Sequence, residues 1–260
     1  VEKVQPNNLA DMKITEEVLP EFRQFSDSFN QMLERLDEGF TAQRQFTGNA
    51  AHELRTPLAL MQAQVELFSA EHPDVLPETA DFLRLLREQT ERMTQMTRTL
   101  LEMCGLQAVP CTDHIELGPM IDEIFADLAP LAEKNNITLE REGDGAMTGS
   151  DTLIYRLLFN LTENAIKYNR PGGAVRLSVT PEPEKLLIRV SDTGPGIPER
   201  FQRSVFQPFF RVDKSRSREY GGVGLGLSLV WEIVKLHGGT VCVENSSEAG
   251  TTVAVSLPLR

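Results

Sequence analysis

The chain has 260 residues, 40% of them hydrophobic and 25% charged, an ordinary globular composition long enough for more than one domain. A net charge of −12 argues against direct nucleic-acid binding and against a polybasic membrane anchor. No apolar run reaches the roughly 18 residues that span a bilayer, no signal peptide is visible, and the three cysteines (Cys104, Cys111, Cys242) have no zinc-like spacing and suit a reducing compartment.

Residues 1–20 are poorly periodic and punctuated by Pro6 and Pro20. From Phe22 the spacing predicts a helix. Phe22, Phe25, Phe29, Met32, Leu36 and Gly39 fall at alternating steps of three and four, and this heptad seam continues through Gln43, Phe46 and Ala50. Roughly 45 unbroken residues would reach about 65 Å, which favours a dimer over one helix of a monomeric bundle. The seam runs into Phe46–Leu58, where His52 is followed by Glu53 and Thr56 lies one turn on, on the same face. Pro57 removes a backbone donor, and a kink is expected there. An imidazole with a carboxylate and a hydroxyl in reach is suited to accept a phosphoryl group, with Glu53 holding one ring N–H and the other nitrogen free to attack. A solvated surface His–Glu pair is the other reading of these residues alone. Beyond Met61, Val65 and Phe68, Ser69–Glu78 reads as a loop carrying His72, Pro73 and Pro77. A second helix follows, with Leu83, Leu86, Thr90, Met93, Thr97, Leu100 and Cys104 as its stripe. Two such helices form an antiparallel hairpin, and two hairpins a dimeric four-helix bundle. Gly105–Asp113 is the expected linker; Cys104 and Cys111 read as a redox pair or as two half-buried thiols.

The remainder reads as α+β. His114–Leu117 is a short strand, Met120–Lys134 a helix ended by Asn135-Asn136, and Ile137–Arg141 a strand. Asp151–Lys167 is a helix, Asn169–Gly173 a turn, and Val175–Val179 and Leu186–Val190 are strands. Val223–His237 is a helix closed by Gly238-Gly239, with His237 capping or packing, and Val241–Glu244 and Thr252–Leu257 complete the sheet.

Four clusters in this part carry chemistry. Asn160, Asn164 and Lys167 share one helix face among apolar residues, where two amides and an ammonium need polar partners such as phosphate oxygens and Mg²⁺. Asp192-Thr-Gly194-Pro-Gly196 follows a strand; the carboxylate can accept from an exocyclic amine such as adenine N6, although this pattern alone also describes an ordinary turn. Phe206, Phe209 and Phe210, followed by Arg211, suggest a lid pinned by aromatic anchors, at least one of them packed in the core. Lys214, Arg216 and Arg218 come next, to meet phosphates or solvent. Gly221, Gly222, Gly224 and Gly226 lead into a helix whose N-terminus favours an anion. Neither a Rossmann loop nor a Walker A loop fits.

The segment around His52 resembles the phosphoacceptor box of sensor histidine kinases. The four clusters, in order and spacing, resemble the N, G1, F and G2 boxes of the GHKL ATP-binding fold. The resemblance implies an all-helical hairpin that dimerises into a four-helix bundle (residues 46–104), a linker (105–113) and a GHKL α/β-sandwich domain (114–260). Residues 1–45 resemble the second half of a HAMP linker. By this resemblance Asn164 ligates Mg²⁺ with Asn160 assisting, Lys167 meets the phosphates of ATP, Tyr168 lies against adenine and Asp192 bonds its N6. Gly194 and Gly196 belong to the same box; Gly222, Gly224 and Gly226 shape the phosphate end of the lid, with Arg211 beside it. Thr56 positions a water that hydrolyses a regulator's aspartyl phosphate. The partners implied are a second copy of the chain and a response-regulator receiver domain, with no direct nucleic-acid contact. The place implied is the cytoplasmic side of a bacterial membrane receptor, attached through a segment upstream. ATP-driven clamps of the gyrase or MutL kind place a water-activating Glu where this chain has Asn160, which favours the kinase.

Overall fold

The computed structural model describes residues 23–106, 109–212 and 224–259. The expected irregular segment 1–20, the seam residue Phe22, the loop bases Lys214, Arg216 and Arg218, and the glycines Gly221 and Gly222 lie outside them.

Two helices form the hairpin. Helix α1 spans Arg23–Glu71 and α2 spans Pro77–Gly105. Pro57 lies inside α1 and the helix continues on both sides of it. The proline takes one N–H from the ladder, so the Glu53 carbonyl loses its usual partner while the flanking turns keep theirs. The connection is shorter than the expected loop. His72 N still donates to Phe68 O (3.1 Å) and its ring stacks on Phe68 at 4.4 Å, which extends the helical turn. Pro77 starts α2, where its fixed φ is an advantage and its missing N–H costs nothing. Thr90 and Thr97 of the expected α2 stripe are buried, but Leu86 and Met93 are exposed, as are Phe25, Phe46, Leu60 and Met61 along α1. In the N-terminal part of α1, Leu33 and Ser26 are buried, rather than the seam residues Phe25, Met32 and Leu36.

Beyond Gly105 a short strand β1 (Asp113–Glu116) pairs antiparallel with β3 (Ala146–Gly149). The sequence did not signal β3, because Ala-Met-Thr-Gly is too short to show a period. The main sheet has five strands in the order β2-β4-β5-β7-β6. These are β2 (Thr138–Gly143), β4 (Ala174–Pro181), β5 (Lys185–Asp192), β6 (Thr240–Ser247) and β7 (Gly250–Pro258). Only β2 and β4 pair in parallel; the other neighbours are antiparallel. Helices α3 (Leu117–Asn135), α4 (Asp151–Lys167) and α5 (Gly226–Leu236) pack against the sheet. Helix α3 ends as the asparagine pair implies, with Asn136 in the left-handed region at φ 54. Helix α5 begins three residues later than the apolar spacing suggests, because Gly224 takes φ 78, which no helical residue adopts.

Strand alternation sorts the two faces of the sheet. Val175, Leu177 and Val179 of β4 and Leu186, Ile188 and Val190 of β5 are buried under the helices. Their neighbours point outward and pair across strands, Arg176 with Glu140 at 2.9 Å and Arg189 with Glu244 at 2.7 Å. The hydrogen bond from Arg189 holds the Glu244 carboxyl below its ordinary value, so this pair contributes at neutral pH and is lost as the pH falls through the folded value. The two faces should respond differently to truncation. Ile188→Ala is expected to cost about 2–5 kcal/mol in chemical denaturation. Arg189→Ala should cost about 1 kcal/mol or less. Equal losses would contradict a one-sided sheet.

Candidate functional site

The acceptor segment lies on the exposed side of α1. Ala51 and Leu58 are 2% and 3% exposed, whereas His52, Glu53 and Thr56 are all solvent-exposed. His52 and Thr56 are one turn apart on a continuous helix. Among the described residues neither His52 nor Glu53 makes a side-chain hydrogen bond, so the contact expected between them is not formed here. Thr56 also differs from four threonines of α2, Thr90, Thr94, Thr97 and Thr99. Thr90 and Thr94 donate back to the Leu86 and Thr90 carbonyls at 2.8 and 2.9 Å, but the Thr56 hydroxyl makes no such bond.

Helix α4 carries the second group. Its apolar face is built from Leu153, Leu157, Leu158 and Leu161, leaving Asn160, Glu163, Asn164 and Lys167 half-buried on the other. Asn160 Nδ2 donates to Arg156 O (2.7 Å), which turns its Oδ1 outward, toward the start of α5. A Cβ on Gly226 would lie 3.0 Å from Asn160 Oδ1 and 3.5 Å from Asn164 Nδ2. The first turn of α5 therefore sits directly on the two amides, and its free N–H groups face the same space. Asn164 makes no side-chain hydrogen bond among the described residues. Lys167 is paired with Glu163 at 2.8 Å, a contact the sequence reading missed although the i, i+4 spacing was present.

Asp192 ends β5. Its Oδ1 accepts from Gly194 N (2.8 Å) and Thr251 N (3.2 Å), which leaves Oδ2 open. Burial pushes this carboxyl above its ordinary value, against the pull of the two backbone donors. Gly194 closes on the end of α4, where a Cβ would lie 2.6 Å from Tyr168 O, and Gly196 takes φ 81. Tyr168 itself is nearly half exposed. The phenylalanines divide. Phe206 is buried against Trp231 (5.8 Å) and Phe210 packs on Phe201 (5.6 Å). Phe209 is 54% exposed and holds φ 63, its N–H donating to Gly224 O at 2.8 Å. Arg211 lies beside the same turn, its Cγ 3.2 Å from where a Cβ on Gly224 would stand. Gly222 is outside the described residues.

No group of three or more His, Cys, Asp or Glu able to hold a metal occurs among the described residues. Two amides suit a cation that arrives with phosphate oxygens and keeps part of its water, as Mg²⁺ does.

Comparisons with known proteins match two parts of the chain. Residues 42–104 match the His Kinase A (phospho-acceptor) domain, and residues 149–260 match the Histidine kinase-, DNA gyrase B-, and HSP90-like ATPase family. The chain is 33% identical over 228 residues to the sensor histidine kinase RppB of Synechocystis, covering 85% of this chain and 50% of that protein. It is 31% identical to the sensor protein CutS of Streptomyces coelicolor, covering 92% and 58%. It is also 31% identical to the signal transduction histidine-protein kinase ArlS of Staphylococcus aureus, covering 90% and 53%. The chain thus spans about half the length of these relatives. Full-length ShkA in complex with AMPPNP shares the fold at TM-score 0.66, with 20% identity over 82% of this chain and 45% of that one. The Acinetobacter baumannii histidine kinase AdeS does so at 0.55, with 17% identity over 80% and 98%.

Asp192 offers a test that separates site from scaffold. Because folding raises this carboxyl, the stability of its protonated form is fully present below the unfolded value of 3.8 and lost as pH rises through the folded value. Asp192→Asn keeps a carbonyl for Gly194 and Thr251 and removes the buried charge. The variant should melt at or above the wild-type temperature at neutral pH. If Oδ2 is the acceptor for adenine N6, the amide of the variant donates in its place, and affinity for adenine nucleotides should fall about tenfold or more. A lower melting temperature with unchanged affinity would reject the assignment.

Proposed function

The chain belongs to the sensor histidine kinases of two-component systems, and on that premise we propose that it phosphorylates its own His52 from ATP and passes the phosphoryl group to an aspartate of a response regulator. The observation that carries this reading is the state of the acids near the α4 face. Asn160 stands where a water-activating carboxylate would serve, and Glu163 is tied to Lys167. Such a site holds ATP for an external nucleophile, and the exposed, unbonded imidazole of His52 supplies one.

The chain's own groups account for each role. Asp192 Oδ2 receives adenine N6 and Tyr168 lies against the ring. Lys167 exchanges Glu163 for a phosphate oxygen, and the α5 N-terminus with Gly224 and Gly226 faces the phosphates. Asn164, assisted by Asn160, would hold Mg²⁺, which supplies charge neutralisation of the triphosphate when bound. The unprotonated ring nitrogen of His52 forms the P–N bond as the bond from the γ-phosphorus to the β–γ bridging oxygen breaks and ADP leaves. Glu53 takes the proton lost from the other ring nitrogen. The transfer rests on positioning and electrostatics. In this reading residues 46–104 are the acceptor hairpin, 114–260 the ATP domain, and 105–113 the joint about which they move.

The exposed apolar side chains on α1 and α2 support a dimer through a four-helix bundle. Light scattering at micromolar concentration should give twice 29.1 kDa, and a single-chain mass would refute the dimer. Among the described residues no helix is long and apolar enough to cross a membrane. That the chain works on the cytoplasmic side of a bacterial membrane receptor is part of this proposal, and fractionation of the full-length protein tests it. Incubation with γ-labelled ATP should leave an acid-labile, base-stable label on the wild type and none on His52→Gln, which should still bind ATP. Label retained on His52→Gln would sink the acceptor assignment. Thr56→Ala should label like the wild type but lose dephosphorylation of the regulator; equal loss of both activities would make Thr56 structural.

A further inference from the structure

The turn that leaves α4 is tied by side chains to the turn that leaves β5. Asn169 follows Tyr168, and Thr193 follows Asp192. Thr193 Oγ1 lies 2.9 Å from Asn169 Oδ1 and accepts from Ala174 N at 3.0 Å. That N–H can only donate, so the threonine hydroxyl gives its own proton to the asparagine. Asn169 Oδ1 also accepts from Arg170 N at 2.9 Å, and its Nδ2 donates to Ala174 O at 3.0 Å. A backbone N–H on one side and a backbone carbonyl on the other leave the amide a single orientation. The Ala174 carbonyl takes the Thr193 N–H as well, at 3.2 Å.

Glycine clears the space for this network. Gly173 lies outside the left-handed region, so its backbone conformation is open to other residues. A Cβ there would run into both Thr193 Oγ1 and Asn169 Oδ1. On the other side, a Cβ on Gly194 would lie 3.5 Å from Asn169 Cα. Asn169 is half-buried and Thr193 is exposed, where a hydrogen bond adds little to stability because water can replace it. What the bonds do fix is the placement of residue 168 relative to residue 192. They join one end of a helix to one end of a strand through side chains whose neighbours in the chain are Tyr168 and Asp192.

Resting on the reading of ATP as substrate, we infer that Asn169 is a positioning residue for the base: with Thr193 it holds the Asp192 carboxylate against Tyr168 and so sets the preference for adenine. In that reading the ring lies on Tyr168 while its N6 amine donates to Asp192. Guanine carries a carbonyl where adenine carries that amine, and a carboxylate can only accept. Discrimination therefore depends on the carboxylate standing at one fixed place beside the ring. If Asn169 lets go, the Asp192 turn can move away from Tyr168, and the two bases become more alike to the site.

The test compares non-hydrolysable analogues of ATP and GTP, both with Mg²⁺, by calorimetry on the full chain. Wild type should prefer the adenine nucleotide. Asn169→Ala and Thr193→Val should each weaken it about fivefold and the guanine nucleotide less than twofold, as loss of an ordinary hydrogen bond predicts. The double variant should be no weaker than either single one, since both remove the same link. Thr193→Ser keeps the hydroxyl and should bind like wild type. Equal weakening of both nucleotides, no weakening of either, or Thr193→Ser behaving like Thr193→Val would overturn the inference and leave the kinase reading intact. A wild type that does not distinguish the bases would overturn the inference together with the role given to Asp192. A wild type that binds neither nucleotide would overturn the kinase reading as well.

Discussion

Helix α4 is fixed at both ends by contacts with main-chain atoms, and the polar face it presents depends on them. At its start, Ser150 N–H donates to His237 Nε2 at 3.1 Å. The other ring nitrogen of His237 bonds Ile233 O at 2.8 Å, so the imidazole, 3% exposed, links the end of α5 to the beginning of α4. Since Ser150 N can only donate, Nε2 accepts and Nδ1 carries the proton. At the far end Gly194 meets the Tyr168 carbonyl at a distance no side chain permits. With Leu153, Leu157 and Leu161 set into the core between these points, the rotation of the helix is fixed, and Asn160 and Asn164 face the start of α5.

The charge on that face is arranged for exchange. Lys167 and Glu163 form a half-buried pair whose attraction is offset by desolvation, so replacing the carboxylate by a phosphate oxygen costs little. Asn160 and Asn164 add polarity without negative charge. This is how a chain of net charge −12 can present a place for a polyanion. Four acids of the ATP domain and the end of α2 are bound to basic partners: Glu140 to Arg176 and Glu244 to Arg189 on the outer face of the sheet, Asp122 to Arg141, and Glu102 to Arg156.

The helices and long strands were legible because their periods are long enough to count; α4 spans the residues its apolar spacing marks. Features made by tertiary contact were not. Strand β3 exists because β1 pairs with it. The Ser150–His237 bond joins residues far apart in the chain, and a lone histidine at a helix end announces only a cap. The i, i+3 spacing of the α1 seam could not separate Leu33, which is buried, from Met32 and Leu36, which are exposed. The clusters of the site were readable as residue types, since amides and an ammonium on one apolar helix have few uses. That Lys167 begins in the grip of Glu163 required the packing.

The acceptor side obeys the same logic from the opposite direction. Ala51 and Leu58 are seven residues apart, two turns, and both are buried, so together they fix how α1 is rotated against the hairpin. His52 then falls about 100° from that line and Thr56 about 140°, close enough to each other to share one exposed strip. Pro57 sits next to Leu58 on the solvent side, where its missing N–H leaves a carbonyl that water can satisfy. Thr90, Thr94, Thr97 and Thr99 of α2 return their hydroxyls to the helix backbone, and Thr90 and Thr97 are buried in doing so. Thr56 and His52 make no such bond. The hydroxyls of those four α2 threonines are thus satisfied within the hairpin, and the polar groups on the exposed strip of α1 are held in place by burial of their neighbours while their own hydrogen-bonding capacity stays available to whatever docks there.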